Sequence, residues 1–239
     1  LNFVGAMPIY LLNNDLVFPS PTKANDDGLL AIGGDLAPER LLMAYEMGIF
    51  PWFNPDDPVL WWSPDPRCVL FLDQLRVSKS MRNVLNQKQY TVSVDQQFSK
   101  VLDGCSTAPR KENGTWISDE IKQAYLALHA LGMAHSVEVW KENELVGGLY
   151  GVSLGNAFFG ESMFSMESNA SKIGLVYFAR ALQSWGMEWM DCQIMNPHLK
   201  SLGAVEIPRR EFLNNLEAAL KLKTKKGSWT TILPINSEP

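Results

Sequence analysis

Along this 239-residue chain the hydrophobic positions fall into two regimes. From residue 7 to about 65 they are crowded and broken by Pro, Gly and Trp. Phe18-Pro19-Ser20-Pro21 is held extended by its prolines. Gly28-Leu29-Leu30-Ala31-Ile32-Gly33-Gly34-Asp35-Leu36 reads as a buried strand followed by a glycine turn. Pro38 takes the favoured first position of a helix over 38–48, which Gly48 closes. From about residue 66, segments of period 2 and period 3.6 alternate. Strands are predicted at Val69–Leu72 and Tyr90–Val94, helices at Lys79–Asn86 and Gln96–Gly104, and a polar loop over Cys105–Gly114. Ser118 caps a helix running to Leu131, and Gly132 ends it. His135–Trp140, Glu144–Val152 and Ala157–Phe164 form a meander turned by Lys141-Glu142-Asn143 and Leu154-Gly155-Asn156. A helix over Ser171–Gly186, a strand at Trp189–Ile194 and a short helix at Asn196–Leu202 follow. An edge strand at Val205–Ile207 and a helix over Arg210–Leu222 end the pattern. There is no internal repeat.

Polar groups interrupt two of these strands. Phe159-Gly160-Glu161-Ser162-Met163-Phe164-Ser165 carries a glutamate, and Met190-Asp191-Cys192-Gln193-Ile194 a carboxylate beside a carboxamide. Side chains alternate along a strand, so Asp191 and Gln193 project together and Cys192 points away. Such groups among apolar neighbours are costly unless something uses them. Either they satisfy buried backbone or pair with Lys or Arg, or they carry chemistry.

Composition narrows the classes. Hydrophobic residues make up 46% and charged residues 20%, enough for a sizeable core in one large or two modest domains. No apolar run approaches the roughly 20 residues of a membrane span. Leu1 to Ala6 lack the features of a signal peptide, and Met7 is a candidate native start. A cytoplasmic location with no membrane partner is expected. Cys68, Cys105 and Cys192, without CxxC spacing, disfavour a disulfide framework and a zinc site. His129, His135 and His198 form no metal-ligand pattern, so no metal is expected.

The net charge of −5 means that a polyanionic partner needs a local basic surface. Arg76, Lys79, Arg82 and Lys88 offer one, with no acid between Asp73 and Asp95; an ordinary solvated helix face accounts for them equally. Lys221-Leu222-Lys223-Thr224-Lys225-Lys226 ends the last helix, where cations suit the dipole. Trp52, Trp61 and Trp62, three of eight tryptophans, flank proline turns and read either as core or as a ligand wall.

The order of meander, helix, strand, short helix and strand resembles the acetyltransferase-like fold of the Gcn5-related superfamily. The fold class is therefore read as α+β. A small Trp/Pro-rich N-terminal α/β domain, 1–65, precedes an acetyltransferase-like catalytic domain with a mixed sheet, 66–239. That fold opens a cleft for an activated acyl donor between two splayed strands, here Ala157–Phe164 and Trp189–Ile194. Glu161, Asp191 and Gln193 would converge on it. Such acetyltransferases cradle coenzyme A with a Q/R-x-x-G-x-G/A loop opening a helix. Here Asn169-Ala170-Ser171-Lys172-Ile173-Gly174 stands in its place, and Gln183-Ser184-Trp185-Gly186-Met187-Glu188 matches only in part, at a helix end. Another acyl donor is implied, and no cofactor is expected.

Taken in order, further runs resemble the leucyl/phenylalanyl-tRNA–protein transferase family. They are Phe18-Pro19-Ser20-Pro21, the Gly28–Leu36 run, Leu41-Leu42-Met43-Ala44-Tyr45, Gly48-Ile49-Phe50-Pro51-Trp52-Phe53 and Leu60-Trp61-Trp62-Ser63-Pro64-Asp65-Pro66-Arg67. Gly114-Thr115-Trp116-Ile117, Gly160-Glu161-Ser162-Met163-Phe164-Ser165, Asp191-Cys192-Gln193 and Ser201-Leu202-Gly203-Ala204 complete the set. The resemblance implies an aminoacyltransferase that moves Leu, Phe or Met from its tRNA to a protein starting with Arg or Lys. The product is thereby marked for N-degron proteolysis.

The chemistry of that transfer suggests that Gln193 hydrogen-bonds the reacting amine and the ester centre. Asp191 orients Gln193 and helps remove the amine proton, and Glu161 holds the acceptor amine. By the same resemblance, Leu149, Leu175 and Phe178 line the amino-acid pocket, Leu175 and Phe178 sharing one helix face. Trp52, Trp116 and Tyr45 grip the terminal adenosine. Arg76, Lys79, Arg82 and Lys88 touch acceptor-stem phosphates without reading sequence, though Asn83 and Asn86 interrupt the family's basic helix here. A monomer is expected. Two rivals are a coenzyme A-dependent N-acyltransferase and a non-catalytic adaptor for N-terminal residues. The missing phosphate loop opposes the first, and Trp52 with Trp116 the second.

Overall fold

The computed structural model describes residues 9–108 and 116–230. The opening residues with Met7, and Gly114-Thr115 with the adjoining part of the polar loop, lie outside the described residues. The N-terminal stretch holds β1 (Tyr10–Leu12), β2 (Leu29–Gly33), α1 (Pro38–Glu46), β3 (Phe50–Pro51) and β4 (Leu60–Trp62). There follow β5 (Arg67–Phe71), α2 (Lys79–Asn86), β6 (Thr91–Val94), α3 (Phe98–Thr107) and α4 (Asp119–Ala130). The meander is β7 (Ala134–Lys141), β8 (Glu144–Leu154) and β9 (Ala157–Ser165). The chain continues through α5 (Ala170–Ser184), β10 (Trp189–Gln193), α6 (Pro197–Ser201), β11 (Val205–Ile207) and α7 (Arg209–Leu220).

Local chemistry accounts for the helix starts. Ser78 Oγ accepts the Met81 N–H at 3.1 Å, Ser118 Oγ accepts that of Ile121 at 3.3 Å, and Asn196 Oδ1 accepts that of Leu199 at 2.9 Å. The start of α5 differs. Asn169 is left-handed and offers no side-chain cap; Ser165, at the end of β9, accepts the Ser171 N–H instead at 2.8 Å. Helix α3 runs on to Thr107, past the expected end at Gly104, because Cys105 is fully buried and continues its apolar face. Strands β1, β3 and β4 are additions to the expected elements.

Among the described residues the strands form two sheets. The first has the order β1-β2-β4-β3. The second has the order β11-β5-β10-β9-β8-β7-β6 and is antiparallel except where β9 and β10 run parallel, so the expected mixed sheet is present. Strand β8 is buried without a break from Val146 to Leu154, as a central strand covered on both faces must be. Tyr150, Val152 and Phe159 belong to a cluster with α3, α4 and α7. The alternate residues Leu149 and Phe158 belong to another with α5. The first cluster also takes in Tyr45, Phe50 and Trp61, so the N-terminal sheet and the larger sheet share one core.

Strand β9 leaves regular pairing beside the sheet centre. Tyr150 pairs with Ser162 and Gly151 with Gly160, so Glu161 is the extra residue of a bulge. Gly151 permits this approach, since a Cβ there would lie 2.1 Å from the Phe159 carbonyl and 2.6 Å from the Phe158 ring. Gly151→Ala is expected to destabilise the fold by about 1–3 kcal/mol. Gly160→Ala, whose Cβ would meet nothing nearer than 3.5 Å, should cost much less. Urea unfolding of the two variants checks this, and equal midpoints would refute it.

Candidate active site

Strand β10 mirrors the irregularity of β9. Asp191 pairs with Val69 and Gln193 with Cys68, which leaves Cys192 as the extra residue. Parallel pairing between β9 and β10 covers only Phe158–Met190 and Phe159–Asp191. Beyond that point the strands part, with one bulge on each side of the gap. Bulges next to a site re-aim side chains, and here the side chains are Glu161 and Gln193.

The gap opens into a cavity of about 900 Å³, within the range of small-molecule sites. Its wall draws on both cores. Phe50, Trp52 and Trp116 contribute from the side of the N-terminal sheet. Leu149, Met163, Leu175, Met190 and Leu199 contribute from the α5 side. Glu161 and Gln193 stand between them. The cavity therefore passes through the sheet where β9 and β10 separate.

Gln193 has a left-handed backbone, φ 56°, which costs a non-glycine residue of order 1 kcal/mol or more. Its N–H donates to Asp191 Oδ1 at 3.0 Å, which holds the turn. Its side-chain Nε2 donates to Glu161 Oε1 at 3.1 Å. The other Glu161 oxygen, Oε2, accepts the Tyr125 hydroxyl at 2.8 Å. With that proton committed, Tyr45 donates in turn to Tyr125 at 2.5 Å. Burial pushes the Glu161 carboxyl up to about 7; the nearby Asp191 charge adds to this, and the tyrosine hydrogen bonds and Arg67 oppose it. Glu161 lines the cavity, so a bound substrate would strengthen that desolvation. Burial and the Glu161 charge hold both tyrosine hydroxyls well above their ordinary range, and they stay protonated donors.

Asp191 does not join them on the wall. It is fully buried, and Arg67 clasps it with Nε to Oδ1 at 2.8 Å and Nη2 to Oδ2 at 2.7 Å. Arg67 Nη1 donates to the Gly48 carbonyl at 3.1 Å, and the guanidinium lies between the rings of Phe50 and Phe212 at 4.8 and 4.5 Å. Of the three polar side chains expected to converge on the cleft, two reach it and the third braces them from behind.

The other expected site residues divide in the same way. Trp52 and Trp116 are both on the wall, Trp52 43% exposed and Trp116 half-buried. Tyr45, expected with them, is fully buried, packed against Phe159 at 5.1 Å and turned to Tyr125. Leu149 and Leu175 face the cavity. Phe178 lies behind that wall, edge-on to Phe158 at 4.8 Å. Arg76, Lys79, Arg82 and Lys88 are all exposed on or beside α2, whose Met81 and Leu85 face inward. Sequence reasoning missed Tyr125, which reads as core on α4, and the brace formed by Arg67. No local signal marks either, because their partners lie 36 and 124 positions away. It also missed His198, on the wall with a buried Nε2 that has no partner among the described residues. Burial and the Lys172 charge lower its pKa, leaving it neutral near pH 7.

Comparison with known proteins gives consistent matches. A family model described as leucyl/phenylalanyl-tRNA protein transferase covers residues 69–217, and one for that family's N-terminal domain covers 34–65. A leucyl/phenylalanyl-tRNA--protein transferase from Desulforapulum autotrophicum is 51% identical over 93% of this chain and 98% of its own length. One from Syntrophotalea carbinolica is 55% identical over 89% of this chain and 93% of its own. A solved GCN5-related N-acetyltransferase from Kribbella flavida superposes with a TM-score of 0.36 at 9% identity, over 69% of this chain and 59% of that one.

Proposed function

The chain belongs to the leucyl/phenylalanyl-tRNA–protein transferase family and is an aminoacyltransferase working between aminoacyl-tRNA and protein, and from that premise we propose its donors, acceptors and site roles. The donors are Leu, Phe and Met esters of tRNA. The acceptors are proteins beginning with Arg or Lys, which the added residue marks for N-degron proteolysis. The reaction runs in the cytoplasm and needs no ATP or cofactor, because amide formation from an ester is downhill. The observation that carries this reading is the cavity itself, aromatic on one side of the sheet, aliphatic on the other, with Glu161 and Gln193 in the gap.

In this reading Trp52 and Trp116 hold the terminal adenosine on the N-terminal side, where 1–65 contributes as a small domain. Leu149 and Leu175 receive the amino-acid side chain within the catalytic unit, 66–239, and Phe178 backs them. A rigid aliphatic slot admits Leu, Phe and Met and disfavours β-branched Ile and Val, by about 1–3 kcal/mol per misplaced methyl. Gln193 bonds the reacting centre. Tyr45 serves the carboxylate through Tyr125. The exposed cations around α2 meet acceptor-stem phosphates.

Mass spectrometry of a peptide starting with Arg, after incubation with the protein and leucyl-tRNA, tests the assignment. A gain of one leucyl residue is expected, with no gain on a peptide starting with Ala. Asp191→Ala and Gln193→Ala should each slow the transfer strongly. Wild-type rates in both would remove these residues from the mechanism, and no gain at all would leave a binding adaptor.

A further inference from the structure

Making the amide requires a proton to leave the attacking nitrogen and a proton to reach the departing ribose oxygen. Among the described residues of the cavity wall, Glu161 is the one carboxyl group. Asp191 is fully buried and absent from that wall, with both oxygens occupied by Arg67 and one also by the Gln193 N–H. A substrate amine in the cavity has no path to it.

We propose that Glu161 is the proton carrier of the reaction, base toward the attacking amine and acid toward the departing oxygen, and that Asp191 is a positioning residue. This rests on the transferase reading above. The β9 bulge turns the Glu161 carboxyl into the gap, beside the carboxamide that meets the reacting centre. Tyr125 and Gln193 each occupy one acceptor site on it, and the Tyr45 hydroxyl also acts on it. A carboxylate has about four, so room remains for an amine proton. The arrangement Tyr45 to Tyr125 to Glu161 fixes the carboxyl without blocking its face to the cavity.

The step balances without another reactant. The neutral amine attacks the ester carbonyl carbon; its lone pair forms the C–N bond and the carbonyl π pair moves onto oxygen. Glu161 takes one proton from the nitrogen. As the carbonyl re-forms, the carbon–ribose oxygen bond breaks and its electron pair leaves on that oxygen, which receives the proton from Glu161. The carboxylate ends as it began. A carboxyl poised near 7 suits both transfers. His198 also faces the cavity, but no hydrogen bond joins it to Glu161 or Gln193 among the described residues.

The test is kcat/KM for leucyl transfer to an Arg-starting peptide between pH 5.5 and 9. Two groups must be deprotonated, Glu161 near 7 and the acceptor amine near about 7.7–8.0. The logarithm of the wild-type rate should rise with a slope of two at low pH. Glu161→Gln should retain transfer reduced roughly 10²–10⁴-fold, with a slope of one from the amine alone. Asp191→Asn and His198→Asn should keep the slope of two, whatever their rates. Tyr125→Phe removes a hydrogen bond that lowers the Glu161 pKa, so its limb should move to higher pH, a second readout if Glu161→Gln misfolds. A slope of two in Glu161→Gln, a slope of one in the wild type, or an unmoved limb in Tyr125→Phe overturns the assignment. A wild type that transfers nothing at any pH overturns the transferase reading, and this role with it.

Discussion

Arg67→Met should lower the free energy of unfolding by about 3–5 kcal/mol, the usual consequence of stripping one partner from a buried ion pair. Arg67 is 1% exposed and Asp191 not at all, so water cannot replace the lost guanidinium. Methionine fills much of the space between Phe50 and Phe212 but abandons both Asp191 oxygens and the Gly48 carbonyl. Lysine would not rescue the site, because a point charge cannot repeat the two-pronged geometry. Activity should fall further than stability alone explains. Asp191 Oδ1 anchors the Gln193 N–H, and with it the left-handed turn that aims the carboxamide at Glu161. Pairing the change with Asp191→Leu separates the two effects. The double variant should regain much of its stability, since replacing a whole buried pair with apolar groups is often neutral or better, yet remain poor in transfer. Urea unfolding and single-turnover leucyl transfer measure the two halves. An unchanged unfolding midpoint in Arg67→Met would sink the argument.

Truncating both tryptophans is expected to weaken the donor complex as strongly, with little harm to the fold. Stacking on one base contributes about 1–3 kcal/mol, or roughly 5- to 150-fold in affinity. Trp52→Ala and Trp116→Ala should each raise KM for leucyl-tRNA within that range while leaving kcat nearly intact. Exposure argues against a core role for Trp52. A core indole would be covered, whereas this one is 43% exposed while its backbone is pinned, its carbonyl accepting the Trp62 indole N–H at 2.6 Å. Trp62 also leans against its ring at 5.8 Å, so the face toward the cavity is presented without first having to be ordered. If both rings hold one base, the double variant should lose less than the sum of the single losses. An unchanged KM in both single variants, or a loss of thermal stability that accounts for the whole effect, would show that the rings are packing only.

How much of this was legible beforehand varies with distance along the chain. Helix α2 lies over the predicted residues, and the meander and the order β10, α6, β11, α7 follow the periodicity closely. Their signals are local, a cap three residues from its N–H or an alternation of faces. Glu161 and Gln193 were also legible, because a polar group inside an apolar strand is conspicuous wherever it ends up. Tyr45 and Phe178 were harder. Alternation and helical spacing report that a side chain faces inward, yet they do not distinguish the lining of a cavity from the layer behind it.

The chain on its own determined most of the elements after residue 66, their order, the mixed α and β character and the pair of polar interruptions in β9 and β10, because each is written in spacings of a few residues. Only the tertiary structure decided which carboxyl lines the cavity. Asp191 and Glu161 are both single acids in apolar strands. One is clasped by Arg67 from 124 positions away, and the other is turned by a bulge into the gap between β9 and β10. That difference comes from strand register and long-range packing, which place a compensating charge beside one acid and a cavity beside the other.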